Sequence, residues 1–293
     1  MTIKKSLKIG IFFTIVIAVA ACNGSEITGT DYSGASFADS SRIVSINGTV
    51  SEVLVDLGLE DQIVGVDVAS TYPTRLQEKP KVGHSRQLTA EGVLALNPDL
   101  VVATINDLKP EVKEQIENAG ARVLTFDHDY SINGAKGLIR ALADSVKKPA
   151  KGDSIIMALE NDLAKVDSLG LSEPKPSVLF IYARGAGTMM VAGEGTQVEK
   201  IIELAGGENA VNGFSDFKPL TAEALVAANP DVILLFDSGL SSLGGVDMLL
   251  EMPGVKETNA GRNKKIVEMD GQLLTGFSQR LGKAILELSE KIH

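Results

Sequence analysis

The sequence predicts an α/β protein of two similar lobes, each with a mostly parallel sheet, joined by a long linker helix. Three observations predict this fold class. Short apolar strands alternate with helical segments, which is typical of parallel sheets covered by helices. A block of sequence recurs in the second half of the chain. A long helical stretch, at about residues 132–169, separates the two halves.

The first half alternates strands and helices in a regular order. Strands are predicted at residues 42–46, 63–66, 100–103 and 122–126, and helices at residues 49–57, 90–96 and 110–119. Thr49 is the expected N-cap of the first helix and Gly58 its expected stop. These elements define an N-terminal lobe over residues 42–145.

The central stretch is helical by its apolar spacing, with one expected break near Pro149. Pro174 and Pro176 end it. We assign residues 146–173 to the linker helix and residues 174–293 to the C-terminal lobe. That lobe has predicted strands at 178–182, 232–236 and 265–269, and predicted helices at 197–205, 222–228 and from about Phe277 onward.

The repeated block begins at Leu88 and again at Leu220, an offset of 132 residues. Eight of its first twelve positions are identical, from Leu-Thr-Ala-Glu at the start to Asn-Pro-Asp at the end. Each copy predicts a helix capped by threonine, a sharp turn and a buried strand. Two copies half a chain apart indicate lobes of related architecture, with a ligand cleft between them.

The N-terminus has the pattern of an exported lipoprotein. Lys4, Lys5 and Lys8 precede an apolar run too short to span a bilayer, which predicts a signal peptide over residues 1–21. The run ends in Ala-Ala-Cys, which resembles a bacterial lipobox and makes Cys22 the expected lipidated residue. The alternative is an ordinary signal peptide with a chance cysteine. Residues 22–41 are rich in Ser, Gly, Thr and Asp and predict a flexible tether. We expect the protein on the outer face of the cytoplasmic membrane, in the periplasm where one exists.

Composition excludes several functions. The net charge of −10 falls to −13 without the signal-peptide lysines, which argues against nucleic acid as a partner. Motif patterns for a nucleophile elbow, a zinc protease and a phosphate-binding loop do not occur, so no enzymatic activity is predicted. Too few histidines and cysteines are present for a typical zinc-carrier site.

The segment 72–91 is the richest in binding chemistry. It holds His84, one of three histidines, together with four cations in an otherwise acidic chain: Arg75, Lys79, Lys81 and Arg86. A loop imidazole can ligate iron, although a lone loop histidine is more often a surface residue. Arginines can pair with carboxylates such as haem propionates.

Several motifs resemble the haemin-importer substrate-binding proteins, a group within the class III periplasmic binding proteins. The matching stretches are 42–46 with Gly48 and Glu52, 82–92, 191–193 with Thr196, 205–210, 213–215 and 218–220. The resemblance covers about residues 42–293. It implies two lobes that move little on ligand binding, capture of haem as the transported ligand, delivery to an ABC permease dimer and no catalytic cofactor.

The sequence departs from that family at two ligand positions. The family's axial tyrosine falls on His84, and a histidine that some members use in the second lobe falls on Arg184. The resemblance therefore implies His84 as the axial ligand of haem iron, with Arg86 and Arg184 near the propionates or the distal face. Tyr72 is a reserve ligand, and packing in its Tyr-Pro turn is the alternative.

Aromatic residues make up 4% of the chain and tryptophan is absent, so few side chains are available to stack on the ring of a ligand. Met189 and Met190 offer soft apolar contact, or else pack in a strand core. A siderophore or corrinoid carrier is the alternative within the binding class. From another class, a lipid-anchored enzyme or adhesin domain is the rival.

Glu91 and Glu223 occupy equivalent positions in the two repeat copies. The resemblance implies that each pairs with arginines of one permease subunit, since related importers carry such a glutamate on each lobe. The alternative is a local role, in which each carboxylate complements the helix dipole and contributes about 0.3–1 kcal/mol.

Overall fold

The computed structural model describes residues 41–169 and 174–293, apart from the side chain of Arg86. The expected signal peptide, Cys22 and the tether up to residue 40 lie outside the described residues, as do residues 170–173 of the expected linker. No helix in the described ranges is long and apolar enough to cross a membrane.

The N-terminal lobe is a parallel sheet with helices on both faces. Its strands are β1 (Ile43–Ile46), β2 (Ile63–Val66), β3 (Leu100–Thr104) and β4 (Arg122–Phe126), in the spatial order β2-β1-β3-β4. Its helices are α1 (Gly48–Asp56), α2 (Ala90–Leu94), α3 (Pro110–Asn118) and α4 (Ile132–Ser145). Because the strands are parallel, their carboxyl ends meet at one edge, where ligands bind in open α/β sheets.

The C-terminal lobe has a mixed sheet. Its strands are β5 (Ser177–Ala183), β6 (Met189–Ala192), β7 (Glu208–Asn209), β8 (Phe217–Pro219), β9 (Val232–Phe236) and β10 (Ile266–Met269). The order is β10-β9-β5-β6-β8, with β7 beside β5. Strands β5, β7, β9 and β10 are parallel, whereas β6 pairs antiparallel with both of its neighbours, β5 and β8. The predicted α/β fold of two lobes is confirmed.

Helices cover this sheet and continue the lobe to its end. They are α6 (Gln197–Leu204), α7 (Ala222–Ala228), α8 (Asp237–Ser242), α9 (Val246–Leu250), α10 (Asn259–Asn263), α11 (Gly271–Thr275) and α12 (Leu281–Ile292). The last helix begins four residues later than predicted. Phe277 has a positive φ of 42°, which a helix does not contain, and its carbonyl lies 3.3 Å from Nε2 of His128 in the N-terminal lobe.

The linker helix α5 (Pro149–Asp167) packs against α4 of one lobe and α12 of the other. The predicted break is present between α4 and α5, where Lys147 has a φ of 58°. Both contacts are close. A Cβ at Gly152 would lie 2.5 Å from the Cβ of Ala143, and one at Gly282 would lie 2.6 Å from the Cβ of Asp162. One apolar core therefore runs from the N-terminal lobe through α5 into the C-terminal lobe.

The predicted cap of α1 is wrong by two residues. Asn47, not Thr49, caps the helix, and its Oδ1 accepts the amides of Thr49 at 2.8 Å and Val50 at 3.3 Å. The Thr49 hydroxyl instead donates to the carbonyl of Gly276 in the other lobe, at 2.7 Å. A side chain suited to a local cap has been recruited into the contact between the lobes.

Candidate ligand-binding cleft

A cavity of about 560 Å³ lies between the lobes and brings together two residues singled out from the sequence, His84 and Arg184. Its size falls within the roughly 300–1,000 Å³ of typical small-molecule sites. The N-terminal lobe contributes one wall and the C-terminal lobe the other. The lining residues are Val68, His84, Gln87, Tyr182, Arg184, Met190 and Phe217.

His84 is positioned by residues 80–83, an extended segment that hydrogen-bonds to the end of β2 and the residues after it. The amide of Val66 donates to the carbonyl of Pro80, and the amide of Val82 donates back to the carbonyl of Val66, both at 3.0 Å. The amide of Val68 donates to the carbonyl of Gly83 at 3.1 Å. This ladder ends at His84, whose exposed side chain is thereby held at the cavity wall.

A buried polar network supports the same wall from behind. Asp67 accepts a hydrogen bond from the Ser70 hydroxyl at 2.6 Å, and Ser70 contacts the Ser51 hydroxyl at 2.7 Å. Ser51 in turn donates to Ser45 on β1 at 2.8 Å. Burial raises the pKa of the Asp67 carboxyl above its ordinary value. The network fixes the loop that carries Val68 into the cavity.

The opposite wall is the hairpin of β5 and β6. Arg184 follows β5, and its amide donates to the carbonyl of Thr188 at 2.9 Å. Its guanidinium is exposed and makes no ion pair or hydrogen bond with the residues that the structure describes. A cation held at a cleft wall in this way can bind a carboxylate of a ligand.

Aromatic and sulfur side chains complete this wall. Tyr182 lies two residues before Arg184, on the same face of β5, and pairs with Met190 across the hairpin. Its ring meets that of Phe217 edge to face, with centroids 6.4 Å apart. Met190 lines the cavity, whereas Met189 packs toward the core of the lobe.

Sequence reasoning missed Val68, Gln87, Tyr182 and Phe217 as lining residues. Two of them had a usable signal. The alternation of a strand places Tyr182 on the face of Arg184. Phe217 is the repeat equivalent of Ser85, the neighbour of His84.

Two other predicted residues have different surroundings. The backbone of Arg86 lies in the short 3₁₀ turn Ser85–Gln87, and its side chain is outside the described part of the structure. Tyr72 does not line the cavity of His84. Its ring lies against the guanidinium of Arg280, 3.7 Å from carbon to centroid, and its amide donates to the side chain of Gln272 at 3.0 Å. Tyr72 is thus part of the contact between the lobes.

A second chamber, of about 570 Å³, lies between the same lobes. It is lined by three aspartates, Asp107, Asp237 and Asp270, and by His128 and Tyr130. Burial lowers the pKa of His128, which favours the neutral ring. Three carboxylates disfavour an anionic ligand here, so the arginine-lined cavity is the better site for one.

The two repeated helices carry the predicted docking glutamates at equivalent places. Thr89 caps α2 by accepting the amide of Gly92 at 3.2 Å, and Thr221 caps α7 by accepting the amide of Ala224 at 3.1 Å. Glu91 and Glu223 follow in the first turns, and both are exposed. Neither carboxylate has an ion pair or hydrogen bond with a described residue.

Comparison with known proteins identifies the fold and its relatives. The family model described as "Periplasmic binding protein" matches residues 43–273. The periplasmic heme-binding protein RhuT from Roseiflexus sp. RS-1, solved in apo form, superposes with a TM-score of 0.82 at 39% identity, over 86% of this chain and 98% of that one.

Two curated relatives are more distant. The uncharacterized ABC transporter substrate-binding lipoprotein YvrC of Bacillus subtilis is 26% identical over 256 residues, which are 86% of this chain and 80% of YvrC. A cobalamin-binding protein of Halobacterium salinarum is 24% identical over 261 residues, which are 86% of this chain and 69% of the relative. The resemblance inferred from the sequence motifs is confirmed.

Proposed function

This chain belongs to the periplasmic binding protein family, and we propose that it captures haem between its lobes and delivers it to the permease of an ABC importer. One observation carries the proposal: an imidazole and an arginine line the same cavity from opposite lobes. Iron in a porphyrin needs an axial ligand, and the propionates of haem need a cation. The likeness to a heme-binding structure at 39% identity supports this ligand.

In this proposal five of the seven lining residues have a defined task. A nitrogen of His84 ligates the iron, and Arg184 binds a propionate, joined by Arg86. Tyr182, Phe217 and Met190 contact the apolar ring. Tyr72 is the reserve ligand, and it would have to leave its contact with Arg280 to reach iron.

Delivery and location complete the proposal. Glu91 and Glu223 each pair with arginines of one permease subunit, since both carboxylates are exposed and uncompensated among the described residues. Acylation at Cys22 anchors the protein on the outer face of the cytoplasmic membrane. The Bacillus relative is named as an ABC transporter substrate-binding lipoprotein, which supports both the delivery to a permease and the lipid anchor. The cargo is bound and released unchanged, so no reaction forms part of the function.

A corrinoid carrier is the second candidate, favoured by the likeness to a cobalamin-binding protein. A carrier of that kind would keep the docking glutamates without needing an iron ligand at position 84. Haem is favoured because His84, a metal ligand, and Arg184, a cation for a carboxylate, line one cavity, whereas the three aspartates line the other chamber.

Titration of the purified mature protein with haemin tests the proposal. We expect a shifted Soret band, and His84→Ala should change the spectrum and weaken binding by more than about tenfold, since even loss of an outer-shell partner of a metal ligand costs that much. Gln87→Ala, in the same cavity, is the matched control and should keep the wild-type spectrum. Tight binding of cobalamin with no response to haemin would overturn the haem assignment.

A further inference from the structure

A shallow groove of about 490 Å³ lies beside Glu223 on the surface of the C-terminal lobe. Its floor is apolar and made of small residues, chiefly Ala222, Ala227 and Gly254. Val226, at 42% exposure, forms part of it. A second carboxylate, Glu257, lines the same groove. The groove therefore combines an exposed apolar surface with two negative charges.

Neither charge is neutralised within the described part of the chain. The nearest cations in sequence have other partners. Lys256 pairs with Glu251 at 2.6 Å, and the guanidinium of Arg262 donates to the backbone carbonyl of Glu257 and to the side chain of Asn259. The carboxylates of Glu223 and Glu257 remain available to a cation from outside.

The equivalent surface of the N-terminal lobe is built differently. The repeat aligns Val226 with Leu94 and Ala227 with Ala95. Leu94 is half-buried and packs against the apolar cluster of its own lobe, whereas Val226 is exposed. Glu91 thus lacks the exposed valine that accompanies Glu223.

We propose that the C-terminal lobe docks on the permease through this groove, which receives an arginine flanked by apolar residues on a permease segment. The inference rests on the proposed delivery function and adds Glu257 and the apolar floor to it. A guanidinium fork can satisfy two carboxylates, and its aliphatic stem packs on the alanine and valine floor. The N-terminal lobe presents Glu91 without an exposed apolar side chain at the place of Val226. The two contacts are therefore unequal.

Haemin uptake by the source organism, with its own gene replaced by each variant, tests the groove. Val226→Lys places a cation in the groove that the two carboxylates line and should lower the uptake rate about tenfold, because like charges across an interface repel. Glu257→Gln should lower it several-fold. Glu290→Gln, an exposed glutamate on α12 with no described partner, is the matched control and should leave uptake unchanged.

Haemin titration of each purified variant separates this inference from the proposed function. Haemin affinity should stay within about twofold of wild type, because every changed side chain lies outside the cleft. Unchanged uptake in both Val226→Lys and Glu257→Gln, with Glu223→Gln impaired, would overturn the groove while leaving delivery intact. Failure of the wild-type protein to bind haemin would instead overturn the proposed function.

Discussion

The two copies of the repeat are alike in their capped helices and turns, whereas the cleft walls that adjoin them differ. In both, a threonine caps the helix and an asparagine turns the chain with positive φ, 46° at Asn97 and 39° at Asn229. In both, an aspartate carboxylate then accepts the amide at the start of the first strand of its lobe. Asp99 accepts the amide of Arg42 at 2.8 Å, and Asp231 that of Ser177 at 3.1 Å.

The two lobes differ in the side chains that they place at the walls of the cavity. The N-terminal lobe places His84 on the cavity wall and buries two ionisable groups, Glu52 and Asp67. The C-terminal lobe offers Arg184 and aromatic rings, and the centre of its first strand, from Val178 to Ile181, is fully buried and apolar. The two cleft walls thus differ in backbone as well as in side chains, because the C-terminal lobe adds the antiparallel strands β6 and β8, which the parallel sheet of the N-terminal lobe lacks.

The largest expected effect is on the contact that holds the unlike lobes together. Glu52, in the N-terminal lobe, is buried and bound by Arg280 of the C-terminal lobe, whose Nε lies 2.8 Å from Oε2. Arg280→Met leaves this carboxylate buried without its cation, and should lower the free energy of unfolding by about 3–5 kcal/mol. Urea unfolding followed by circular dichroism measures the loss.

Arg140→Met is the matched control for that variant. Arg140 is exposed on α4 and has no described ion pair, so its loss should change stability by less than about 0.5 kcal/mol. Equal effects of the two substitutions would mean that Glu52 and Arg280 do not couple the lobes.

The second comparison concerns the two cleft walls. Arg184→Gln removes the cation for a propionate, and should weaken haemin binding by about 1.5–3 kcal/mol while the Soret band keeps its wild-type position. His84→Ala should change both. Titration followed in the visible region checks the distinction. A spectrum altered by Arg184→Gln to the same degree as by His84→Ala would place the arginine at the iron.

Asp67, a buried acid of the N-terminal lobe, should make the stability of the protein depend on pH. Burial raises the folded-state pKa of Asp67, so the folded protein holds its proton longer than the unfolded chain does. Stability from this group is full below the ordinary aspartate pKa of about 3.9 and is lost as pH rises through the raised value. Asp67→Asn should remove that decline, by up to about 1.4 kcal/mol per pH unit.

Unfolding at a series of pH values that rises from the ordinary aspartate pKa of about 3.9 toward neutrality measures this slope. Asp144→Asn, at an exposed position of α4, is the control and should keep the wild-type slope. An identical slope in wild type and Asp67→Asn would show that Asp67 titrates alike in the folded and unfolded chains.

The smallest effect concerns the shared part of the repeat. Thr89→Ala and Thr221→Ala each remove one cap hydrogen bond, of 3.2 and 3.1 Å, and should each cost about 1 kcal/mol. Thermal or urea unfolding of the two single variants compares them. A difference of more than about 1 kcal/mol between the two losses would contradict equal stabilisation of α2 and α7 by their caps.

The sequence by itself determined the features that depend on local hydrogen bonds and periodicity. The strand and helix alternation, the paired threonine caps, the Asn-Pro-Asp turns and the helix break at Lys147 all involve neighbours only a few residues apart. His84 and Arg184 were singled out by the resemblance to a known family, and the structure places both on one cavity. These features could be predicted because short segments specify their own backbone.

Tertiary structure alone decided which side chains meet across the lobes. Thr49 binds Gly276, Tyr72 lies on Arg280, and Phe277 turns out of the helix expected there, each through a contact about 150 to 230 residues away along the chain. Such contacts arise from packing both lobes on α5, and local sequence carries no signal for them. The lining residues Tyr182, on β5, and Phe217, on β8, meet for the same reason. Strand β6 pairs with both of these strands, and it brings the two rings together only once the sheet has formed.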